Sequence, residues 1–133
     1  REDGFRAGLL EAGIVLPEEL YGLSEFSVES GYRQAKAILE KNSDIDIISC
    51  ATDTIAAGAM EALKECKKER REKVKVTGFG DNQFLKAVSE GITTVHFYYK
   101  TSGIKAAEML LDIIEEGHQV PIRMKLGYQI MEH

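Results

Sequence analysis

The sequence predicts an α/β protein in which a mainly parallel β-sheet is flanked by helices. Short runs of β-branched residues, Ile45–Ala51 and Val74–Phe79 among them, alternate with longer segments of helical period. The stretches joining them are long enough for helical crossovers, as parallel neighbours require. At Cys50-Ala51-Thr52-Asp53 an apolar strand run meets a Thr/Asp cap and the small-residue helix Ile55–Met60, so a strand tip and a helix N-terminus coincide.

Taken in order, Glu2–Ala12 sets Phe5, Leu9 and Ala12 on one helical face and stops at Gly13, which can take the left-handed conformation that ends helices. Beyond Pro17, residues Tyr21–Phe26 suit an extended segment. A helix starting at Glu29 or Ser30 turns Tyr32, Ala35, Ile38 and Leu39 inward and ends at Asn42. Ile45–Ala51 reads as a strand covered on both faces. The following helix runs from Asp53 to about Glu69, with Ile55, Ala59 and Leu63 in one stripe. Val74–Phe79 is a second strand, Phe84–Val88 one or two helical turns, and Ile92–Phe97 a third strand. Ser102–Glu116 is an amphipathic helix with an inward stripe of Ile104, Ala107, Leu111 and Ile114, closed by Gly117. A last strand covers about Arg123 to Met131.

Composition narrows the function. The 133 residues are enough for about one domain, and 44% hydrophobic with 29% charged residues is a soluble globular balance. With 17 Lys plus Arg against 22 Asp plus Glu, the chain lacks a basic nucleic-acid footprint. Lys64–Lys73 concentrates basic residues, but Glu65, Glu69 and Glu72 are interleaved at ion-pair spacing, which suits a solvated helix end. Cys50 and Cys66 form neither a disulfide framework nor a metal spacing, which suits a reducing, cytoplasmic compartment. His96, His118 and His133 are scattered without a carboxylate or cysteine partner pattern, so no metal is expected. No nucleophile with its base, P-loop or dinucleotide fingerprint argues for an enzyme, and no cofactor is called for.

In sheets of this kind ligands sit beyond the carboxyl ends of the strands, where Ala51–Thr54, Gly78–Asn82 and Phe97–Lys100 fall. Arg1-x-x-Gly4-Phe5, Gly13-Ile14, Glu29-Ser30-Gly31-Tyr32, Ala51 through Met60, Val76-Thr77-Gly78-Phe79-Gly80 and Thr93-Thr94-Val95 follow one another in the order and spacing of the lactose/galactose repressor family, which the chain resembles over nearly its whole length. The resemblance implies a periplasmic-binding-protein-like type I fold, a homodimer, a sugar-class effector, and operator DNA contacted through an N-terminal helix-turn-helix that is not in these residues. No membrane partner is implied. The Gly78-Phe79-Gly80 variant followed by Thr94–Phe97 looks most like repressors of sucrose and related disaccharide operons.

By the same resemblance, residues 1–97 correspond to the C-terminal subdomain of the effector-binding core without its first strand. Residues 98–120 match a crossover segment belonging to the N-terminal subdomain, and 121–133 a returning strand. A periplasmic sugar receptor shares the fold and is the alternative; the two cysteines speak against it.

A sugar offers vicinal hydroxyls and an apolar ring face, which call for bidentate donors, amide or carboxylate acceptors and aromatic rings. Arg1 matches the family's effector-contacting arginine; as a bare terminus it would instead be a frayed, solvated side chain. Thr52 stands where relatives carry an amide. Asp53 has two roles open to it, helix capping and ligand contact. Phe26 and Tyr99 match aromatic positions of the pocket, where they would stack on a sugar face or serve as core. At Gly80 many relatives carry a carboxylate, which here follows as Asp81, then Asn82. Either Asp81 or Asn82 swings into the pocket, or Gly80 makes room for a larger ligand, or the three residues form a left-handed turn.

Overall fold

The computed structural model describes residues 1–82, 92–117 and 120–132. Helix α1 (Glu2–Glu11) ends in a Schellman motif: Ile14 N–H donates to Leu9 O at 2.8 Å, Gly13 N–H to Leu10 O at 2.9 Å, and Gly13 sits at φ +74. Its exposed face is tied to the following turn through Glu2, which accepts from Arg6 Nε at 2.9 Å and Tyr21 Oη at 2.8 Å. Those two donors hold the Glu2 carboxyl below its usual range, Tyr21 contributing most. The 3-10 turn Glu18–Leu20 follows, and Tyr21–Phe26 carries no strand.

Helix α2 (Val28–Lys41) starts earlier than expected, because Ser27 and not Glu29 or Ser30 is the cap: its hydroxyl accepts from Ser30 N–H at 3.1 Å. Ala35 and Leu39 are buried as the helical period required, and Asn42 ends the helix. Strand β1 (Ile47–Ser49) leads to α3 (Asp53–Lys64), and a separate short helix α4 (Lys68–Lys73) takes the place of the expected continuation to Glu69. The last turn of α3 tightens, with Cys66 N–H bonding Leu63 O three residues back, and Lys67 is extended at ψ 148, which breaks the helix. In and around α4 the basic run is paired: Lys64 with Glu61, Lys68 with Glu72, and Lys73 with Asp44 and Asp46.

Among the described residues, strands β2 (Lys75–Thr77), β3 (Ile92–Phe97) and β4 (Tyr128–Glu132) complete a four-stranded sheet of order β1-β2-β3-β4. The pairs β1/β2 and β2/β3 are parallel, whereas β4 lies antiparallel to β3 with Thr94 opposite Met131. The sheet is therefore mixed, with its parallel part where the crossovers placed it. Expected helical turns at Phe84–Val88 lie outside the described residues, and so do His118 and His133.

Two expectations fail on burial. Strand β1 is an edge strand, not one covered on both faces: Ile47 is 61% exposed and only Ile48 turns toward the core. Helix α5 (Tyr99–Glu116) has no buried residue, so the stripe Ile104, Ala107, Leu111 and Ile114 lies in solvent. Periodicity identifies an apolar face but not the element that lies on it.

The core joins α2, α3, β2 and the start of β3: Ala35, Leu39, Ile55, Ala56, Ala59, Ala62, Leu63, Val74, Val76 and Ile92 are buried together, with Ile48 of β1 packed against them. Small residues make this possible. A Cβ on Gly58 would lie 2.1 Å from Val28 O, and one on Gly31 would lie 2.5 Å from Ile55 O, so the backbones of α2 and α3 touch at two reciprocal points. The Ala56–Ala59 run thus receives a helix of its own chain.

Candidate functional site

The loops after β1, β2 and β3 meet at one end of the sheet. Cys50 N–H donates to Thr77 O at 2.9 Å, Gly78 N–H to Thr93 O at 2.8 Å and Gly80 N–H to Val95 O at 3.0 Å, so the strand register continues past the strands into the loops.

Thr52 caps α3, its hydroxyl accepting from Ile55 N–H at 3.2 Å. Capping thus falls to Thr52, and Asp53 has a different task. Only 5% exposed, Asp53 accepts from the Thr94 hydroxyl on Oδ1 at 2.5 Å and from Asn82 N–H on Oδ2 at 2.7 Å, while its own N–H donates to Phe79 O at 3.2 Å. One carboxylate therefore ties α3 to β3 and to the loop after β2. Gly78 leaves room for it, since a Cβ there would lie 2.2 Å from Asp53 Oδ1. Burial, and after it the Asp53 charge, pushes the Cys50 thiol up to about 12, so Cys50 is a neutral packing residue.

The loop turns sharply, with Gly80 at φ +132 and Asp81 at φ +52, the one non-glycine residue of positive φ among those described. Asp81 is buried with its N–H on Thr94 Oγ1 at 3.2 Å and its Oδ2 2.6 Å from His96 Nδ1. The expectation that His96 has no carboxylate partner is thereby corrected: the residues lie 15 apart in sequence and side by side across the β2–β3 strand ends. Tyr99, at the start of α5, donates its hydroxyl to Gly80 O at 2.8 Å.

An aromatic line crosses the same end of the sheet. Phe79 and Phe97 lie 4.9 Å apart between centroids, and Phe97 meets Tyr99 edge-on at 5.9 Å. Arg1 reaches its other end, donating from Nη1 to Ala51 O at 2.8 Å with its guanidinium carbon 4.3 Å from the Phe79 centroid.

Of the residues singled out in the sequence, Arg1, Thr52, Asp53, Gly80, Asp81, Asn82 and Tyr99 come together here. Phe26 is 76% exposed, and no ring contact among the described residues joins it to them. It precedes α2, whose first turn lies over Gly58 of α3. Asp81 Oδ2 lies beside His96 Nδ1 and the Asn82 N–H donates to Asp53, while the positive φ of Gly80 and Asp81 is that of a left-handed turn. Phe79 and Phe97 lie in the segments expected at this end of the sheet but were not singled out, and Thr94 and His96 were missed. Thr94 left one signal, a hydroxyl inside a strand at a position that periodicity buries.

Residues 1–132 match the model of the periplasmic binding protein-like domain. The chain is 27% identical to the HTH-type transcriptional regulator CelR of Thermobifida fusca over 98% of this chain and 38% of the relative, and 35% identical to the HTH-type transcriptional repressor PurR of Erwinia tasmaniensis over 86% and 33%. It superposes on a solved complex of transcriptional regulator CelR with cellobiose at a TM-score of 0.84, with 27% identity over 96% of this chain and 39% of that one. The chain thus spans about two-fifths of the length of the relatives it matches. The match over residues 1–132 assigns the chain to the periplasmic binding protein-like domain family, and the relatives it resembles are transcriptional regulators.

Proposed function

We propose that this chain is the effector-sensing part of a carbohydrate-responsive transcriptional repressor, and that its effector is a disaccharide, sucrose or a relative of it. The observation that carries the reading is the convergence of a guanidinium, Arg1, set over the Phe79 ring, and an aromatic pair, Phe97–Tyr99, at the carboxyl ends of three strands. Those are the groups a sugar recruits: donors for vicinal hydroxyls and rings for its apolar face. Thr52 and the Gly80 loop stand at the same strand tips. The complex of the relative CelR with cellobiose supports the disaccharide class.

On this reading residues 1–97 form most of the C-terminal subdomain, 98–120 belong with the N-terminal subdomain, and 121–133 return. The solvent-facing apolar stripe of α5 supports that division, because an amphipathic helix of 18 residues calls for a partner. Sugar binding alters the relation of the subdomains and, through a homodimer, the spacing of two DNA-reading heads outside this chain. A periplasmic receptor is not favoured, since the relatives are transcriptional regulators.

Thermal denaturation of the intact regulator against a panel of mono- and disaccharides tests the proposal. A disaccharide present at about 100 times its dissociation constant should stabilise by about 2.7 kcal/mol. A panel in which only monosaccharides, or no sugar at all, raised the melting temperature would overturn it.

A further inference from the structure

We propose that Phe79 is a positioning residue that sets the Arg1 guanidinium for its ligand, an inference that rests on the effector-site reading above. Arg1 stands at the N-cap position of α1, and its side chain makes no capping hydrogen bond to the helix. A long, rotamer-rich side chain there would lose much freedom on gripping a ligand. Two contacts remove that freedom beforehand: Nη1 donates to Ala51 O at 2.8 Å, and the guanidinium carbon lies over the Phe79 ring at 4.3 Å. The carbonyl fixes one corner of the planar fork, and the negative face of the ring attracts the cation from one side. The other N–H groups of the fork then serve a ligand.

Phe79 is itself held. Its carbonyl accepts the Asp53 N–H at 3.2 Å, its ring leans on Phe97 at 4.9 Å, and glycines flank it on both sides. It is only partly buried and stands outside the buried cluster of α2, α3 and the strands, so packing the core does not account for an aromatic ring at this position. The arrangement links the loop after β1, through Ala51, to the loop after β2, through Phe79, with Arg1 as the bridge.

The test is the rate at which phenylglyoxal modifies individual arginines of the intact protein, followed by peptide mass spectrometry. Arg33, an exposed side chain 3.9 Å from Glu29, is the internal reference. Arg1 should react more slowly than Arg33. Phe79→Leu should speed Arg1 by about two- to fivefold and leave Arg33 unchanged, while Phe79→Tyr, which keeps the ring face, should restore the slow rate. Phe79→Met serves the same comparison if the Leu variant loses its circular dichroism. Equal rates for Arg1 and Arg33 in the unmutated protein, or an Arg1 rate indifferent to the ring, would overturn the proposal. With a sugar that stabilises the protein, Phe79→Leu should weaken binding in the parent but add no further loss to Arg1→Ala; a further loss would mean that the ring packs on the ligand directly. Arg1→Ala with undiminished sugar binding would overturn the effector role of Arg1 and leave the stacking, read from the modification rates, intact.

Discussion

Asp53 shows how a residue type that the sequence marks as a cap or a ligand contact can do something else. Its carboxylate lies among three strand tips and is satisfied by the Thr94 hydroxyl and the Asn82 N–H, while Thr94 accepts in turn from Asp81 N–H. Removing that hydroxyl takes a donor from the buried Asp53 carboxylate and breaks the bond from Asp81 N–H, each worth about 1–3 kcal/mol. Thr94→Val should therefore destabilise by several kcal/mol in chemical denaturation, although its shape is nearly unchanged, and Thr94→Ser should recover most of the loss. A Val variant as stable as the parent would show that the three tips are held by other means. Six of the seven residues that converge were legible in the sequence because each follows a strand end, whereas Arg1, at the start of α1, was marked by the family resemblance. Their partners were not, since Asp53 and Thr94 are 41 residues apart and Asp81 meets His96 only once β2 and β3 are in register.

At the scale of elements, the contact between α2 and α3 sets the shape of the core. It depends on Gly31 and Gly58, whose missing side chains let each backbone reach the other. Gly58→Val would drive its Cβ into Val28 O and Tyr32 N, which are backbone atoms and cannot rotate away. Overpacking of this kind costs about 1–3 kcal/mol or more, so the variant should melt well below the parent, whereas Gly103→Ala, in α5 with open space around it, should not lower the melting temperature. Equal melting of the Gly58 variant would mean that the helices can separate without penalty. Local signals placed α2 and β3 within two residues and Gly13 and Gly117 at helix ends, because caps, glycines and period are short-range properties. They failed for β1, which the sheet order leaves at an edge, and for β4, whose antiparallel pairing with β3 spans more than 30 residues of sequence.

For the whole molecule, the ligand site and the apolar surface face different tasks. The polar end of the sheet is organised internally by Asp53 and Asp81, so the cation left at its rim, Arg1, carries the recognition that the reading requires. Charged hydrogen bonds are worth about 1.5–3 kcal/mol each, so Arg1→Ala in the intact regulator should weaken sugar binding about 10- to 100-fold. Among the described residues the Arg1 side chain bonds Ala51 and stacks on Phe79, neither of them in the buried core cluster, so the fold should survive and operator affinity without sugar should stay near the parent value. Fluorescence anisotropy on operator DNA, with and without the sugar found by thermal screening, reads both quantities at once. Normal DNA binding with lost release by sugar is the expected pair. Release at the parental sugar concentration would move recognition from Arg1 to other groups at the strand tips, since a guanidinium that grips the effector cannot be removed without altering the coupling between ligand and DNA.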